Sequence, residues 1–584
     1  MFSSAAGSTM FSGAESSTSL SSAVGSASLS SAVGGTSLSN AAGGTLFSGT
    51  ESRILLSSAA GSALSPPPHG AFSARRGSNM WLRFTLFDVR VVAHYLGVLV
   101  SFFTIALAVP LVVAIAMQEW EPASRYLLAV GISLIVGSGL RLVCVQPGKL
   151  THQQALAVTG LSWIVLAFVA SVPLALSGHY GSYLDSLMEA VSGLTTTGVT
   201  LVIDLEHLST ADNMWRFVMH LIGGLGLIVV ALSLGLLGKA TSGLYSSEGR
   251  SEHVLPNIVN TVRLISRISL TAIAVAVVIL FVMCVLSGME PVRAFFHSLW
   301  ISISGFITGG FAPTSQSIGY YHSFALEIVC MVLMLLGAIN FSLYVKTQRG
   351  ETDSFFRDLE IRTGAIWLIV ATITLMASTC ASGGFSDLMA LLRRGVFMVV
   401  AAATTTGFQN VTNNQLTTVF SSGAFLIIAM CMAIGGSSGS TAGGIKLSRI
   451  GLIAKSMVST LKETLSPSTA RVSVRYYHLG RKVLTTDAAK SAMTVSALFV
   501  VTYLIGSLAG IAHGYDAISS IFESVAMASN GGLSSGIVSR GMPPTLEVVY
   551  ILEMWAGRLE FVTLLALVVK VVVSIAPRRK VVRS

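Results

Sequence analysis

From Val91 onward the chain alternates long apolar runs with short breaks rich in charged residues, glycine or proline. Most runs approach the ~20 residues that a helix needs to cross a bilayer, and they are about twice as long as a barrel strand. Only 11% of all residues are charged and the mean hydropathy is +0.75, whereas soluble proteins carry about 25% charged residues. So little charge excludes a soluble enzyme and a disordered scaffold. The sequence therefore predicts an all-α polytopic membrane protein.

About ten spans are predicted, and eight of them belong to a motif that occurs four times after two initial spans near residues 91–117 and 126–145. Each copy has a full span, a shorter apolar segment, a glycine-centred loop and another full span. The shorter segments barely reach across the ~30 Å hydrocarbon core, and irregular backbone at that depth persists only where it is buried in protein or lines water. We therefore predict four re-entrant hairpins. Their short segments lie at residues 183–197, 291–308, 387–406 and 516–530, and the full spans at 155–176, 215–238, 264–287, 324–346, 364–381, 421–457, 490–512 and 545–574.

The predicted domain organisation follows this fourfold repeat, so that four copies surround one pore. It consists of a tail at 1–79, two extra spans at 80–150, repeat 1 at 151–245, repeat 2 at 246–350, repeat 3 at 351–475 with a broken second span and an intramembrane loop, and repeat 4 with a cytoplasmic tail at 476–584.

The first 79 residues differ from the rest of the chain because Ser, Ala, Gly and Thr dominate them. An imperfect nine-residue repeat starts at Ser19, Ser28 and Ser37. Such a composition buries too little apolar surface to offset chain entropy, which predicts disorder. A flexible tail, a start codon placed too early and a Ser/Ala-rich transit peptide are the alternatives, and Met80 is the expected start of the folded protein.

The distribution of basic residues predicts the orientation in the membrane. With the N-terminus inside, only six of the 36 Lys and Arg residues fall on the outer side, and the positive-inside rule then places both termini in the cytoplasm and the four hairpins on the outer side. The net charge of +10 is explained by cytoplasmic loops that face anionic lipid, without nucleic-acid binding. The six outer residues are Arg125, Arg216, Arg293, Arg393, Arg394 and Arg540.

The four loops align on one glycine each, at Gly198, Gly310, Gly407 and Gly532. A pore half-helix that enters from outside leaves its negative carbonyl end near the membrane centre, and a glycine beyond it can take backbone angles that most residues avoid. Four such loops can form rings of carbonyl oxygens that replace the hydration shell of a cation. Close helix packing would explain one such glycine, but not four in the same register. The predicted filter residues are Thr196, Thr197, Gly198, Gly309, Gly310, Thr405, Thr406, Gly407, Gly531 and Gly532.

These loops resemble those of the Trk/Ktr/HKT superfamily of potassium transporters, and the two extra spans make the chain more similar to its TrkH-type membrane subunit. The phrases HLIGGLG at 220–226, GRLE at 557–560 and GGSSGSTAGGIK at 435–446 support the resemblance. It implies that potassium is the transported ion, because sodium-admitting members often carry Ser at the position of Gly198. It also implies a homodimer in the plasma membrane, the inner membrane if the source is bacterial. The expected partner is a TrkA-like cytoplasmic subunit that binds nucleotide.

The glycine-rich stretch 435–446 sits between apolar runs but cannot continue a stable helix, at about 1 kcal/mol per glycine. It is too far from a Walker sequence to bind nucleotide, because Ile445 separates Gly444 from Lys446. The resemblance implies a gating loop below the filter, together with Arg558. A structural pair of Arg558 with Glu553 or Glu560 is the alternative. The predicted gate residues are Gly435, Gly436, Gly439, Ser440, Thr441, Gly443, Gly444, Lys446 and Arg558.

Other classes of protein fit the sequence less well. A secondary cation transporter with inverted repeats, coupled to sodium or protons, would show two long repeats instead of four short ones. A membrane enzyme would need a cluster of catalytic side chains at one depth, and we expect neither enzyme activity nor a cofactor. The residues leave coupled symport and channel-like flux as alternatives.

Overall fold

The computed structural model describes residues 85–143, 150–226, 258–381, 387–412, 415–416, 420–467, 469, 472–559 and 561–575. The predicted disordered tail at 1–79 and the end of the predicted span 215–238 lie outside the described residues. So does Glu560, one of the alternative partners of Arg558.

The regular structure of the described residues is helical apart from one two-stranded antiparallel hairpin between the helices Leu447–Leu465 and Thr486–Ala512. Thr85 caps the first helix, and its side chain and that of Asp88 form a capping box. The elements are α1 (Leu86–Ala116), α2 (Trp120–Leu142), α3 (His152–Ala175), α4 (Tyr183–Thr195), α5 (Thr210–Leu225), α6 (Ile258–Leu286), α7 (Pro291–Phe306), a 3-10 turn (Ser317–Tyr321), α8 (Phe324–Ala338), α9 (Phe341–Gln348), α10 (Thr352–Arg357), α11 (Leu359–Ala381), α12 (Leu388–Ala403), α13 (Ser422–Ala433), α14 (Leu447–Leu465), β1 (Arg475–Tyr477), β2 (Arg481–Val483), α15 (Thr486–Ala512), α16 (Ala517–Ala528), α17 (Pro544–Arg558) and α18 (Val562–Ile575).

Within the described residues, six helices are long and apolar enough to cross a membrane, and a seventh span results if the bent pair α8 and α9 is counted as one. The six are α1, α2, α3, α6, α11 and α15. Many of their apolar side chains point outward, such as Ile366 and Ile373 of α11, as expected of helices that face lipid. The prediction of a helical polytopic membrane protein is confirmed.

The second span of each motif is where the structure departs from the prediction. The prediction of continuous second spans in repeats 2 and 4 is wrong. In repeat 2, α8 and α9 meet at an angle of 93°, and in repeat 4 a break separates α17 from α18. In repeat 2 the Asn340 side chain accepts the Ser342 N–H at 2.8 Å and starts a new helix. In repeat 4 the left-handed Phe561, at φ +50°, follows the end of α17. The predicted break in repeat 3 is present, between α13 and α14.

The two extra N-terminal helices pack on repeat 1 through a buried charge pair. Arg125 of α2 contacts Asp212 of α5 at 3.1 Å, and the Tyr126 hydroxyl donates to Asp212 at 2.8 Å. Arg125 and Arg216, two of the six basic residues predicted on the outer side, lie within helices and are buried. Each has a carboxylate partner there, which offsets much of the cost of burying a guanidinium.

Candidate ion-conducting site

Four short helices, α4, α7, α12 and α16, match the predicted half-helices, and we call them the pore helices. An Asp, Glu or Ser side chain caps the beginning of each one by accepting backbone N–H groups. They end at Thr195, Phe306, Ala403 and Ala528, directly before the aligned loops. The carbonyl end of each helix dipole therefore faces its loop, which favours a cation there.

Each loop repeats the same pair of left-handed residues. The first lies two positions before the aligned glycine, with φ between 52° and 58°, and the second is the glycine itself, with φ between 66° and 86°. A left-handed residue other than glycine is uncommon and strained, so its recurrence at one register shows that the four loops share one backbone shape. The first residues are Thr196, Thr308, Thr405 and Asn530, and the second are Gly198, Gly310, Gly407 and Gly532.

The four loops meet in a closed ring. The point that a Cβ atom would occupy on each aligned glycine lies 2.0–2.6 Å from the carbonyl oxygen that precedes the glycine of the next loop. No side chain fits at such a distance, so each position needs glycine for space as well as for backbone angles. In order, the contacts are Gly198 to the Gly309 oxygen, Gly310 to Thr406, Gly407 to Gly531 and Gly532 to Thr197. They join repeat 1 to 2, 2 to 3, 3 to 4 and 4 back to 1, and they contain eight of the ten predicted filter residues.

The remaining two predicted filter residues, Thr196 and Thr405, each lie two positions before the aligned glycine, on the side of the pore helix. Their hydroxyls contact groups of later segments. The Thr196 hydroxyl accepts from the Arg558 guanidinium at 3.2 Å, and that of Thr405 accepts from the Gly443 N–H at 2.7 Å. Both residues therefore link the ring to the predicted gate.

Residues 434–446, which we call the intramembrane loop, separate α13 from α14. Its two ends are tied together by a backbone bridge between Ile434 and Ile445. Glycine is required inside it, because a Cβ on Gly435 would lie 1.9 Å from the Gly443 oxygen. Gly444 has φ +66° and Gly439 has φ +65°. The predicted break of this span is thus a compact loop with its own hydrogen bonds.

The intramembrane loop touches the loops of repeats 2, 3 and 4. The Thr308 hydroxyl donates to that of Thr441 at 3.1 Å, and Gly443 reaches Thr405 as described. A Cβ on Gly443 would lie 2.0 Å from the Ser529 oxygen, next to the left-handed Asn530. The rest of the loop faces its own neighbours. Gly439 accepts from the Phe341 N–H, Ser440 donates to the Ser437 carbonyl, Gly436 accepts from the Leu447 N–H, and Lys446 donates to the Ala442 carbonyl.

Arg558 contacts the loop of repeat 1. Besides Thr196 of repeat 1, its guanidinium donates to the Thr441 carbonyl at 3.3 Å and to the Gly223 carbonyl. It also lies 5.8 Å from the Trp163 ring. Arg558 and the intramembrane loop together therefore contact all four left-handed loop positions.

Comparison with known proteins places this arrangement in one family. A family model described as "TrkH: Cation transport protein" matches residues 123–576. The chain belongs to the TrkH family. It is 30% identical to an uncharacterized cation transporter of Methanocaldococcus jannaschii over 83% of this chain and 96% of that protein. It is 29% identical to the Trk system potassium uptake protein TrkH of Halomonas elongata and 28% identical to that of Escherichia coli, in both cases over 82% of this chain and 98% of the relative.

The crystal structure of the potassium transporter TrkH from Vibrio parahaemolyticus has the same fold. It matches with a TM-score of 0.70 and 23% identity, covering 82% of this chain and 98% of that chain. The predicted resemblance to TrkH-type subunits is thereby confirmed.

In this TrkH-family chain, two glutamates form hydrogen bonds with the segment that directly follows the aligned glycine. Glu189 and Glu523 each lie nine residues before their loop glycine. Glu189 accepts from Thr200 and from the Leu201 N–H, both at 2.9 Å, while Glu523 accepts from Ser534 and from the Ser535 N–H. The two carboxylates thus hold equivalent residues, the second and third after the glycine. Arg216 completes the first of these sites by donating to Glu189 at 2.9 Å.

Sequence reasoning missed a second set of glycines. Repeats 1, 2 and 4 each have one in the helix that follows the aligned loop, which we call the inner helix. Gly223, Gly337 and Gly557 follow their loop glycines by 25 to 27 residues. A Cβ on any of them would lie 1.9 Å from a carbonyl oxygen at the end of the adjacent pore helix. These glycines let the inner helices press directly on the pore-helix ends. Their common spacing from the loop glycines was the signal in the sequence.

Proposed function

We propose that this chain takes up potassium through the ring of four loops. The observation that carries the proposal is the closed ring of four equivalent loops. At the contacts between neighbouring loops lie the backbone carbonyls of Thr197, Gly309, Thr406 and Gly531. Carbonyl oxygens can replace the hydration shell of a potassium ion, and the pore-helix dipoles add negative potential from four sides. The TrkH relatives of Halomonas elongata and Escherichia coli, which are named as potassium uptake proteins, support the choice of ion.

Glycine at position 198 supports potassium over sodium in this proposal. All four aligned positions carry glycine, so the four contacts between neighbouring loops can have similar backbone geometry. A serine at one position would break that equivalence. We therefore propose that the filter consists of the ten residues predicted from the sequence, Thr196, Thr197, Gly198, Gly309, Gly310, Thr405, Thr406, Gly407, Gly531 and Gly532.

The intramembrane loop and Arg558 form the gate in this proposal. They contact the left-handed residues of all four loops, Thr196, Thr308, Thr405 and Asn530. A cation that leaves the ring would meet a glycine-rich segment and a positive guanidinium at the same level. The segment would obstruct the ion sterically, and the guanidinium would repel it.

The wider setting completes the proposal. The chain acts in the plasma membrane, in bacteria the inner membrane, with both termini in the cytoplasm, the domain boundaries predicted above, and no enzyme activity. It forms a homodimer, and a cytoplasmic TrkA-like subunit that binds nucleotide regulates the gate.

A direct test is growth of cells that lack their own potassium uptake, at limiting potassium, with the full chain expressed. We expect growth to be rescued and purified protein in liposomes to take up rubidium in preference to sodium. Gly407→Ala should abolish both effects, because its Cβ would lie 2.6 Å from the Gly531 oxygen, whereas Gly178→Ala, at a left-handed glycine with open space around it, should not. Equal rescue by the Gly407→Ala variant at equal expression would contradict a filter at this ring.

A further inference from the structure

Glu553 is a buried carboxyl group in the middle of α17, nine residues after the helix begins on the outer side. Its exposed fraction is 3%. Among the described residues, no Lys, Arg or His forms an ion pair with it. An ionised carboxylate is costly at membrane depth without a cationic partner. An intramembrane acid of this kind is rarely retained for packing alone.

The contacts of Ser524 indicate that Glu553 carries a proton. The Ser524 hydroxyl lies 2.8 Å from Glu553 Oε1 and 2.9 Å from the carbonyl oxygen of Tyr503. A hydroxyl has one hydrogen, so it cannot donate to both acceptors at once. Both contacts become hydrogen bonds when a protonated Glu553 donates to Ser524 and Ser524 donates to Tyr503.

Further polar atoms lie near Glu553 at the interface of α15, α16 and α17, which we call the seam. The hydroxyls of Tyr503, Ser520 and Tyr550 and the Oε2 atom of Glu553 are buried without a hydrogen-bond partner in the described part of the protein. Buried polar groups of this kind are usually satisfied by water.

Two glycines of α15 make room for these groups. A Cβ on Gly506 would lie 2.1 Å from Glu553 Oε1. One turn further on, a Cβ on Gly510 would lie 2.7 Å from the Ser520 hydroxyl and 3.5 Å from that of Tyr550. The two glycines therefore place the carboxyl and the two hydroxyls along one face of α15.

The seam lies behind the pore helix of repeat 4, not at the ring. Ser520 and Ser524 belong to that pore helix, and the carbonyl of Met554, next to Glu553, accepts from the Asn530 side chain at 3.0 Å. Asn530 also donates to the Thr197 hydroxyl at 2.9 Å. A change at Glu553 can therefore reach both loop 4 and loop 1 through α17.

In the described part of the chain, ionisable groups near Glu553 come from three elements. Tyr503 comes from α15, Glu523 from α16 and Tyr550 from α17 itself, while Tyr515 precedes α16. The Glu523 carboxylate is already held by Ser534 and Ser535. These neighbours are acids or neutral hydroxyls, so none of them stabilises an ionised Glu553.

We propose that Glu553, Tyr503, Ser520, Ser524 and Tyr550 form a proton-binding site behind the pore helix of repeat 4, outside the ion path. Loss of the proton would place an uncompensated charge against the pore helix and disturb the contacts that hold loops 1 and 4 together. The site concerns the protonation of one side chain and does not depend on which ion the ring carries.

Infrared difference spectroscopy of the full chain in lipid nanodiscs tests this proposal. Wild type minus Glu553→Gln should show the C=O band of a protonated carboxylic acid at neutral pH, shifted when water is exchanged for D₂O. The matched control is Glu121→Gln, whose side chain is 79% exposed and which should show only the bands of an ionised carboxylate. Carboxylate bands at neutral pH in the Glu553 difference would overturn the proposal, and bands that appear only in sodium buffer would reassign the site to sodium.

A second variant covers the case in which Glu553→Gln fails to fold. Ser524→Ala removes the hydrogen-bond partner at 2.8 Å and leaves the acid in place. The C=O band of wild type should then move to higher frequency in Ser524→Ala, because its hydrogen bond is lost. Identical acid bands in the two proteins would show that Glu553 is not the protonated group.

Discussion

At the scale of single residues, the ring depends on backbone shapes that few amino acids adopt. The left-handed Thr196, Thr308 and Thr405 are strained, at a cost on the order of 1–3 kcal/mol each. They keep this conformation because their neighbours fix them, as the Arg558 and Gly443 contacts do for Thr196 and Thr405. The aligned glycines are required twice over, for φ and for space. Substitution of these glycines is therefore the most direct test of the ring.

We predict that Gly198→Ser raises sodium permeation relative to potassium, on the order of tenfold, which corresponds to about 1.4 kcal/mol. The added Cβ would lie 2.0 Å from the Gly309 oxygen, so the loops of repeats 1 and 2 must move apart at this contact. Relative uptake of sodium and rubidium into liposomes measures the change. Gly178→Ser is the control, because it places the same side chain at φ +76° with nothing within 4 Å. An unchanged ratio in a well-expressed Gly198→Ser protein would remove Gly198 from the filter.

At the scale of elements, the second helices of the motifs carry most of the departures from regular structure. The intramembrane loop interrupts one of them, and its contacts extend in two directions. Thr441 and Gly443 touch the ring, while the Ser438 N–H donates to Glu360 of α11 at 2.7 Å. The start of α11 in turn holds the β1–β2 hairpin, because Asp358 accepts from the Leu479 N–H at 3.0 Å. A continuous set of contacts thus connects the hairpin to the loop below the ring.

Shortening the intramembrane loop by removing Ser437–Thr441 should raise ion flux, and Arg558→Ala should raise it too. The first change removes the Thr441 contacts with the ring, and the second removes the positive charge beside Thr196. The combined variant should gain less than the product of the two, because Arg558 contacts the Thr441 carbonyl and groups in contact are not additive. Rubidium uptake into liposomes without a cytoplasmic partner measures all four proteins. Lower flux in both single variants, with the fold intact, would make these groups structural supports and not a gate.

The attachment of the hairpin to α11 should weaken in acid. Burial alone would raise the pKa of Asp358, but hydrogen bonds from His478 and the Leu479 N–H, together with the His478 charge, hold this pKa below its ordinary value. A carboxylate with a lowered pKa contributes stability above the ordinary Asp pKa of about 4, and this contribution is lost as pH falls through the lowered pKa. The protection of residues 475–483 against hydrogen exchange, taken relative to the intrinsic exchange rate at each pH, should therefore fall only below about pH 4.

Asp358→Ala should give the same fast exchange at neutral pH, because it leaves the Leu479 N–H without its acceptor, at a cost of about 1–3 kcal/mol. Asp353→Ala is the control, because its 2.7 Å pair with Arg357 lies on an exposed surface. Equal exchange in the wild type and Asp358→Ala would show that the hairpin is held by other contacts.

At the scale of the whole molecule, four similar units share one ring, and the two extra helices lie outside it. The units are not equivalent in detail. Repeat 4 carries Asn530 in place of threonine at the left-handed position, and its side chain links loop 4 to loop 1. Repeat 3 lacks the inner-helix glycine and has the intramembrane loop instead. The ring is therefore built from four loops of one backbone shape whose side chains and following helices differ.

Deleting residues 2–79 should leave membrane insertion and potassium uptake intact. The segment is rich in Ser, Ala and Gly and precedes the capped start of α1 at Thr85. Complementation of potassium-uptake-deficient cells by a protein that starts at Met80 measures this, with membrane fractionation as the check on insertion. A failure to insert or complement would make the segment a targeting or folding element.

The sequence by itself determined the membrane fold, the four short pore helices and the loop glycines. These features depend on apolar run length and on backbone angles that only certain residues adopt, and both are local properties. It did not determine the breaks that follow α8 and α17, where Gly337 and Gly557 of these helices lie against the carbonyl oxygens of Phe306 and Ala528 at the pore-helix ends. Only the tertiary structure decided which groups meet: the neighbour of each loop glycine in the ring, the placement of Arg558 beside Thr196, and the burial of Glu553 between Gly506 and Ser524. Those pairings join residues far apart in the chain, and no local pattern specifies them.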